Sequence, residues 1–335
     1  MSRLTLALAL AAALFSQSAL AVTFKIATIL PDGTKWMNEM RQGAATIKEK
    51  TGGRVEFRFY PGGIMGNDKS VLRKMRVGQL QGGAITGGSL ADIYTDGQIY
   101  SLPFLFRSYA EVDYVRGKMD KLLLAGLRKN GYVSFGIGEG GFAYLMSNEP
   151  VTKTEDLQGK KVWVPEGDAI NRAAFESFGI SPVSLPLTDV LTGLQTGLID
   201  TVANSTSGAI ALQWHSRVKY MNTTPLLYLY GTMVVQSKYF DKLSAADQKV
   251  VMTVMSDVFK RLDVQNRQDN EAAREALKKQ GIEFLDSNET EAQAWRAGAE
   301  RTIEKMSKQG VVSPEIVAII NKHLSDFRKA HADTN

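Results

Sequence analysis

The sequence has no cysteine and only three histidines among its 335 residues. Without cysteine there can be no disulfide, thiolate metal site, iron–sulfur cluster or thiol nucleophile. Two of the histidines, His323 and His331, lie near the C-terminus, and the third, His215, is best explained as a packed polar residue beside Trp214. A catalytic histidine arrangement is therefore not expected.

Other signatures of chemistry are missing as well. The chain has no G-x-S-x-G, P-loop or H-E-x-x-H motif, so we assign no catalytic residue, metal ligand or cofactor. The formal net charge is only +5 without a dense block of lysine or arginine, and nucleic acid is not an expected partner. The composition, 44% hydrophobic and 22% charged, is that of a globular protein. The length allows about two domains of ~150 residues each.

The N-terminus has the pattern of a secretory signal peptide. Arg3 is followed by an apolar run at 4–15 and by Ala19-Leu20-Ala21, an A-x-A cleavage site. The alternative, a membrane anchor, is disfavoured because the run is shorter than the ~20 residues that a span needs. We predict that residues 1–21 are removed after Ala21 and that the protein is periplasmic. A secreted chain without cysteine suits that compartment.

Strand and helix patterns alternate along the rest of the chain. Strands are predicted at 23–28, 55–60 and 83–86, with helices between them, which indicates a mainly parallel sheet covered by helices. The alternation restarts after 130 and is followed by a long helix over 245–279. The sequence therefore predicts an α/β protein with two lobes. A cleft between lobes is the usual place for a small ligand.

One glycine-rich segment matches a known motif only in part. Residues 136–141, GIGEGG, fit the G-x-G-x-x-G pattern of dinucleotide-binding proteins and follow a predicted strand. That motif must open a helix, whose N-terminus faces the pyrophosphate. Here the next residues, 142–146, have the pattern of a strand. We therefore interpret the segment as a place where the chain passes between the lobes, not as a nucleotide site.

Several short segments, taken in order, resemble one family. They are TGGRV at 51–55, YPGG at 60–63, LPFLF at 102–106, DLQGKKV at 156–162, LQTG at 194–197 and LSAADQ at 243–248. In this order and spacing they resemble the periplasmic solute-binding subunits of tripartite ATP-independent (TRAP) transporters, the dicarboxylate-receptor type. The resemblance covers about residues 25–248.

The resemblance implies a fold and a function. The fold is the two-lobed periplasmic-binding-protein type (type II), with mixed sheets and a long helix that spans both lobes. Lobe I is expected to comprise residues 22–142 and about 232–265, and lobe II residues 143–231 and about 266–330. The protein would bind a small organic solute between the lobes, without catalysis, and deliver it to integral-membrane permease subunits. A receptor for another transporter or a sensor, and a secreted α/β enzyme, are the alternatives.

One residue departs from the family's pattern. Typical members have an arginine after the D-L-x-G-x-K segment, and it pairs with the ligand's carboxylate; this chain has Trp163 there. Some members have a second arginine that contacts the ligand, and its position corresponds to one near Ala143 in this chain. Indole has one N–H and no charge, so it cannot replace the bidentate arginine. Three possibilities stay open: Trp163 faces the ligand, Trp163 packs inside its lobe, or another arginine such as Arg172 captures a carboxylate.

The predicted site follows from these considerations. Asn204 matches a polar ligand contact of similar proteins, Trp36 opens the first helix after a strand, and Glu139, Glu166 and Asp168 are acids that could meet a cation. The predicted ligand-binding residues are Trp163, Asn204, Phe142, Trp36, Glu139, Gln213 and Trp214, the last two at the far wall. If Trp163 replaces the carboxylate anchor, the solute should be neutral, apolar-faced or cationic, not a simple dicarboxylate or sugar acid.

Overall fold

A computed structural model describes residues 21–331, so the predicted signal peptide lies, but for Ala21, outside the described part. Within it, the strands are β1 Val22–Ala27, β2 Val55–Tyr60, β3 Gly82–Thr86, β4 Tyr132–Ser134, β5 Gly138–Ser147, β6 Trp163–Pro165, β7 Val183–Leu185, β8 Thr201–Asn204, β9 Tyr220–Asn222, β10 Leu227–Gln236 and β11 Glu283–Leu285. The helices are α1 Lys35–Lys50, α2 Asp68–Arg76, α3 Tyr109–Lys129, α4 Ala169–Ser177, α5 Val190–Thr196, α6 Thr206–Ala211, α7 Ser237–Phe240, α8 Ala245–Lys279, α9 Glu289–Lys308 and α10 Pro314–Ala330.

The first lobe is built on three parallel strands. β1 pairs with β2 from Val22↔Val55 to Ala27↔Tyr60, and with β3 at Ile26↔Gly82 and Ala27↔Gly83. Side chains of alternate residues, such as Phe24 and Ile26, enter a fully buried core. Helices α1 and α2 connect these strands, as expected for β-α-β units. Their N-termini are capped by Thr34 and Asn67, whose side chains accept hydrogen bonds from backbone N–H groups.

The second lobe contains shorter strands, which pair with one another and with the second half of β5. β6 and β7 are parallel, and an isolated parallel bridge between Val162 and Thr201 joins this pair to β8. β8 and β9 pair with the second half of β5, and β11 pairs with β9. Helix α9 packs on α4 in this lobe. Helix α10 packs on α3 instead, and its Ile316, Ile320 and Leu324 join a cluster with α3 residues.

Three long elements cross from one lobe to the other. β5 pairs with β10 as far as Ala143 and with β8 from Tyr144 onward. β10 continues past β5 to pair with β3. Helix α8 has 35 residues, which gives a length of about 52 Å at 1.5 Å per residue. It packs on α1, where Val258 lies against Gly43 and Arg261 pairs with Glu39, and also on α6 and β5.

The observed architecture confirms the predicted fold class, a two-lobed α/β fold with mixed sheets and a long helix that spans both lobes. The predicted bounds of α8, 245–279, match the observed helix. The glycine-rich segment lies largely in the crossing strand β5, as its interpretation as an interlobe passage requires. Three strands of three residues each, β7, β9 and β11, were not predicted, because such short segments carry too little alternation to detect.

A glycine in the central sheet provides a stability test. A methyl group at Gly82 would lie 2.7 Å from Ile26 Cδ1 and 2.9 Å from Val235 Cγ1, and closer still to the Val234 carbonyl. We expect Gly82→Ala to lower the free energy of unfolding by about 1–3 kcal/mol, because the packed sheet cannot yield. The matched control is Gly117→Ala on the exposed face of α3, where a methyl group meets nothing within 4 Å. It should raise stability by up to about 1 kcal/mol through helix propensity. Urea unfolding measures both, and equal effects of the two substitutions would contradict this packing.

Candidate functional site at the interlobe cleft

The carboxyl ends of parallel strands from both lobes face one line of contact. In the first lobe β1, β2 and β3 end here, and the loops that follow lead into the capped N-termini of α1 and α2. In the second lobe β6 ends at the loop that leads to α4, which Asp168 caps. β8 ends at Asn204, next to Ser205, the cap of α6. Open α/β sheets bind ligands at such carboxyl edges.

The two lobes touch along this line. Asn67 donates a hydrogen bond through Nδ2 to Glu166 Oε2 at 3.1 Å. A methyl group at Gly88 would lie 3.7 Å from Asp168 Oδ2, and one at Gly63 would lie 3.3 Å from Thr188 Cγ2. The loops after β2 and β3 therefore meet the loops after β6 and β7. The lobes are in contact at the cleft in this structure.

Asp68, the first residue of α2, lies at this edge. It is only 7% exposed, and its Oδ2 accepts hydrogen bonds from the backbone N–H of Thr86 at 3.0 Å and from Thr86 Oγ1 at 2.7 Å. Its Oδ1 is buried without a hydrogen-bond partner in the described part of the chain. Burial raises the pKa of this carboxyl group, and the hydrogen bonds from Thr86 oppose that shift. Thr86 itself is exposed.

Trp163 lies inside the second lobe. It is 6% exposed and belongs to a buried apolar cluster with Met146, Val202 and Trp214. Its indole Nε1 donates to the Leu185 carbonyl at 3.0 Å, and its ring meets that of Trp214 edge-on at 5.2 Å. Its one polar atom is therefore satisfied by backbone. Of the three possibilities that the sequence left open, this geometry favours packing within the lobe, and contact with a ligand stays a prediction.

Gln213 and Trp214, the two residues predicted for the far wall, lie in different surroundings. Trp214 is 1% exposed and packs against Trp163, so the structure does bring these two tryptophans together. Gln213 is exposed, with φ of 60°, and its carbonyl accepts a hydrogen bond from Ser216 Oγ at 2.7 Å. It turns the chain at the C-terminal end of α6, whose N-terminus faces the cleft. This placement gives Gln213 a turn-forming role.

Phe142 and Glu139, both on β5, pack against β10. Phe142 is 4% exposed and contacts the rings of Tyr109 and Tyr228, with centroid distances of 4.9 and 5.8 Å. Glu139 has a fully buried side chain, which accepts hydrogen bonds from Arg267 Nε at 2.9 Å and from the Tyr228 hydroxyl at 3.0 Å. The sequence predicts Glu139 as a ligand contact, but its carboxylate is already paired with an arginine of α8.

A second arginine completes this network. Arg116 of α3 donates to the Ile137 carbonyl at 2.6 Å and to the Tyr228 hydroxyl at 3.1 Å, and it forms an ion pair with Asp263 of α8 at 3.0 Å. Asp263 in turn accepts the backbone N–H of Glu139 at 2.7 Å. We call Arg116, Asp263, Glu139, Arg267 and Tyr228 the crossing network. It joins β5, β10 and α8, the three elements that cross between the lobes.

Asn204 ends β8 at the cleft edge. It is 8% exposed, and its Oδ1 accepts the backbone N–H of Ser205 at 2.8 Å. Nearby, Asn270 of α8 accepts hydrogen bonds from Ser207 Oγ at 2.8 Å and, through its carbonyl, from Thr206 Oγ1 at 2.6 Å. These bonds tie the start of α6 to α8. Asn204 is therefore held on a fixed frame.

The remaining predicted residues lie in both lobes. Trp36 is half-buried at the start of α1 and packs against the first lobe's core. Arg172, the possible alternative anchor for a carboxylate, is 40% exposed and lies 3.7 Å from Glu176 on its own helix. Asp168 accepts two hydrogen bonds from Asn171, at 3.0 and 2.8 Å. Burial raises the pKa of the Asp168 carboxyl group.

Residues 21–331 show neither a metal site nor a membrane-spanning helix. No group of three or more histidine or acidic side chains there is placed to hold a metal ion. No helix in the same range is both long and apolar enough to cross a membrane.

Comparison with known proteins identifies the family. Residues 26–309 match the profile of the family "Bacterial extracellular solute-binding protein, family 7". The chain belongs to this family. It is 25% identical over 289 residues to the C4-dicarboxylate-binding periplasmic protein DctP of Rhodobacter capsulatus, covering 83% of this chain and 85% of that protein. It is also 25% identical over 241 residues to the 2,3-diketo-L-gulonate-binding periplasmic protein YiaO of Escherichia coli, covering 71% and 73%.

Solved structures of TRAP solute-binding proteins share the fold. The sugar acid binding protein DctPAm of Advenella mimigardefordensis, in complex with galactonate, superposes with a TM-score of 0.84 at 19% identity, over 92% of this chain and 99% of that one. A TRAP solute-binding protein of Desulfovibrio salexigens with bound orotic acid gives 0.83 at 21% identity, over 91% and 99%. At these identities the likeness concerns the fold.

For this family 7 chain, sequence reasoning missed Asp68, its neighbour Asn67, and Thr86. A signal for them was present: Asn67 and Asp68 follow the glycine-rich loop after β2 and open a helix at a carboxyl edge, as Trp36 does after β1. The crossing network was also missed. Glu139 and Arg267 are 128 residues apart in sequence, so nothing local indicates their pairing.

The crossing network predicts a contrast between two carboxylates that share one arginine. Arg267 pairs with Glu139, whose side chain is 0% exposed, and with Asp113, whose side chain is 57% exposed. We expect Glu139→Gln to lower the free energy of unfolding by about 2–3 kcal/mol, because the partly buried Arg267 then loses its buried carboxylate partner. Asp113→Asn, the control, should cost less than about 1 kcal/mol, because water screens that pair. Denaturant unfolding at neutral pH tests the contrast, and an equal or reversed order would refute it.

Proposed function

We propose that this chain is a periplasmic receptor that binds a small organic solute between its lobes and delivers it to a TRAP-type membrane permease. The observation that carries the proposal is the meeting of the carboxyl edges of both lobes along one line, joined by crossing strands and a crossing helix. Membership of family 7 supports it. No reaction is required: the solute adds contacts to both lobes and so favours their closed arrangement.

The energy that closure requires is modest. Shifting a hinge from 1% to 99% closed takes a solute that binds the closed form about 10⁴-fold more tightly, or about 5.5 kcal/mol. A few hydrogen bonds to both lobes supply that amount. The crossing network lies where β5, β10 and α8 meet, so it is suited to hold the lobes' common frame while the edges move. A receptor that serves a sensor would close in the same way, and a gene neighbourhood with two integral-membrane permease subunits would favour transport.

The division into lobes is part of the proposal. Lobe I comprises residues 22–142, about 232–265 and α10, and lobe II comprises residues 143–231 and about 266–308. The change of partners along β5 between Ala143 and Tyr144 supports the first boundary. The packing of α10 on α3 supports moving this last helix from lobe II, where the sequence put it, to lobe I.

The solute of this receptor is proposed to differ from simple organic acids. Relatives are named for C4-dicarboxylate and for 2,3-diketo-L-gulonate. The family resemblance implies an arginine at the position of Trp163, and the N–H of Trp163 is taken by the Leu185 carbonyl. The other candidate, Arg172, lies beside Glu176 and is partly in solvent. A carboxylate in this cleft would lose water without gaining an arginine fork, so its binding is disfavoured.

Closure can be measured directly because the chain has no cysteine. Ile64→Cys and Asp189→Cys place two unique labels at exposed positions on opposite sides of the lobe contact. We expect the small-molecule fraction of the periplasm to shorten and narrow the distance distribution between two spin labels. A pair within one lobe, Ile64→Cys with Val77→Cys, is the control and should not change. A distance between Ile64 and Asp189 labels that no solute alters would contradict the proposal.

Export predicts a defined N-terminus. The pattern at 19–21 places cleavage after Ala21, so protein recovered from the periplasm should begin with Val22. Val22 is also the first residue of β1 and its N–H donates to the Arg54 carbonyl at 2.8 Å, so a free amine there leaves the strand intact. Intact-mass measurement of the periplasmic fraction tests this. Protein that retains residues 1–21 would contradict it.

A further inference from the structure

One buried acidic residue in the described part of this chain, Asp68, has no arginine partner. Four acidic residues in the described part are buried: Asp68, Glu111, Glu139 and Asp247. Three of them pair with an arginine. Glu111 lies 2.7 Å from Arg328, Glu139 lies 2.8 Å from Arg267 and Asp247 lies 2.8 Å from Arg54. Asp68 has no arginine partner: its carboxyl group takes hydrogen bonds from Thr86 and Ser89, and its Oδ1 has no partner among residues 21–331.

Asp68 and Asp168 lie on opposite sides of the same contact between the lobes. Asn67, the neighbour of Asp68, reaches Glu166, which is two residues before Asp168. On the other side, Thr86 Oγ1 bonds to Asp68 and to Ser89 Oγ, and Gly88 approaches Asp168 Oδ2. Two interlobe contacts therefore bracket Asp68 from lobe I and Asp168 from lobe II. Both carboxyl groups therefore lie at the cleft of the proposed receptor.

Asp168 shares the lack of a cationic partner. The residue is partly exposed, and in the described part of the chain its carboxyl group takes hydrogen bonds from Asn171 and from the backbone N–H of Ile170. Burial raises the pKa of both carboxyl groups because it disfavours their charged forms. Nearby Asp92 raises that of Asp68 further. Buried charge of one sign is costly unless a partner of the opposite sign is supplied.

We infer that the cleft binds a solute through a positively charged nitrogen, held between the carboxyl groups of Asp68 and Asp168. This deepens the proposed function and rests on it. An ammonium or other protonated nitrogen has several N–H donors, and the free Oδ1 of Asp68 is an acceptor without a donor. A cation held by one carboxylate from each lobe is bound more tightly when the lobes are closed. The absence of an arginine at 163 then removes a repulsive charge from the same lobe.

The charge of the solute can be tested with molecules of matched shape. Two series serve: 1,4-diaminobutane, 1,4-butanediol and succinate, and benzylamine, benzyl alcohol and benzoate. Within each series the size is nearly constant while the charge passes from positive to negative. We expect the amine of at least one series to raise the unfolding temperature, and neither acid to do so. Stabilisation by an acid, equal effects across a series, or no effect of either amine at millimolar concentration would overturn the inference.

Substitutions test whether these two carboxyl groups bind the amine directly or act only through the negative charge of the region. Asp68→Asn keeps the shape and should weaken binding of the stabilising amine about tenfold or more, measured by calorimetry. Asp92→Asn removes an exposed charge from the same region and should change binding by less than about twofold. Asp168→Asn provides the second variant, because asparagine also caps helices and should preserve α4. Unchanged amine binding in Asp68→Asn and Asp168→Asn would refute the assignment.

The spin-labelled protein distinguishes failure of this inference from failure of the proposed function. If succinate or benzoate shortens the distance between labels at 64 and 189, the receptor function stands and the cationic solute is refuted. If neither these molecules nor the small-molecule fraction of the periplasm alters that distance, the proposed function fails as well. If an amine closes the cleft of the unsubstituted protein but not that of Asp68→Asn, both are supported.

Discussion

The crossing network is the interaction on which the arrangement of the two lobes depends. Glu139 on β5, Tyr228 on β10, and Asp263 and Arg267 on α8 are joined by hydrogen bonds of 2.7–3.1 Å, with Arg116 of α3 attached to the same group. Each of the three crossing elements contributes a side chain. Charged groups in such a place are stable only as a complete set, since removal of one leaves another buried and unpaired. This fixes the relative register of the crossing elements.

The relative register of the crossing elements determines which side chains lie at the cleft. β5 has its first half in one lobe's pairing and its second half in the other's, so its position sets where β8 ends and where Asn204 lies. α8 carries Asn270, which holds the start of α6 beside that strand end. In the first lobe, β3 ends at Thr86 and α2 begins at Asp68, so both residues lie on the other side of the cleft. The charged groups of the crossing network are paired with one another, whereas Asp68 at the cleft has an oxygen without a hydrogen-bond partner among residues 21–331.

The sequence predicts the parts of this molecule that are local. The long helix is predicted over 245–279, its observed bounds, and the family resemblance rests on segments that stay contiguous. Trp163 shows the limit. Its departure from the arginine that the resemblance implies is visible in the sequence, but its orientation follows from a contact with Leu185, 22 residues away, and from the ring of Trp214. Glu139 shows it again, because an acid beside a glycine-rich segment looks available until Arg267 is seen to occupy it.

The central claim is that the cleft between the lobes holds one small solute that bears a positively charged nitrogen. The most direct measurement is to purify the protein from its own periplasm, denature it, and identify the released small molecules by mass spectrometry together with their amount per chain. We expect a single species, about one per chain, that carries a nitrogen protonated at neutral pH. Release of a dicarboxylate or a sugar acid in that amount would contradict it.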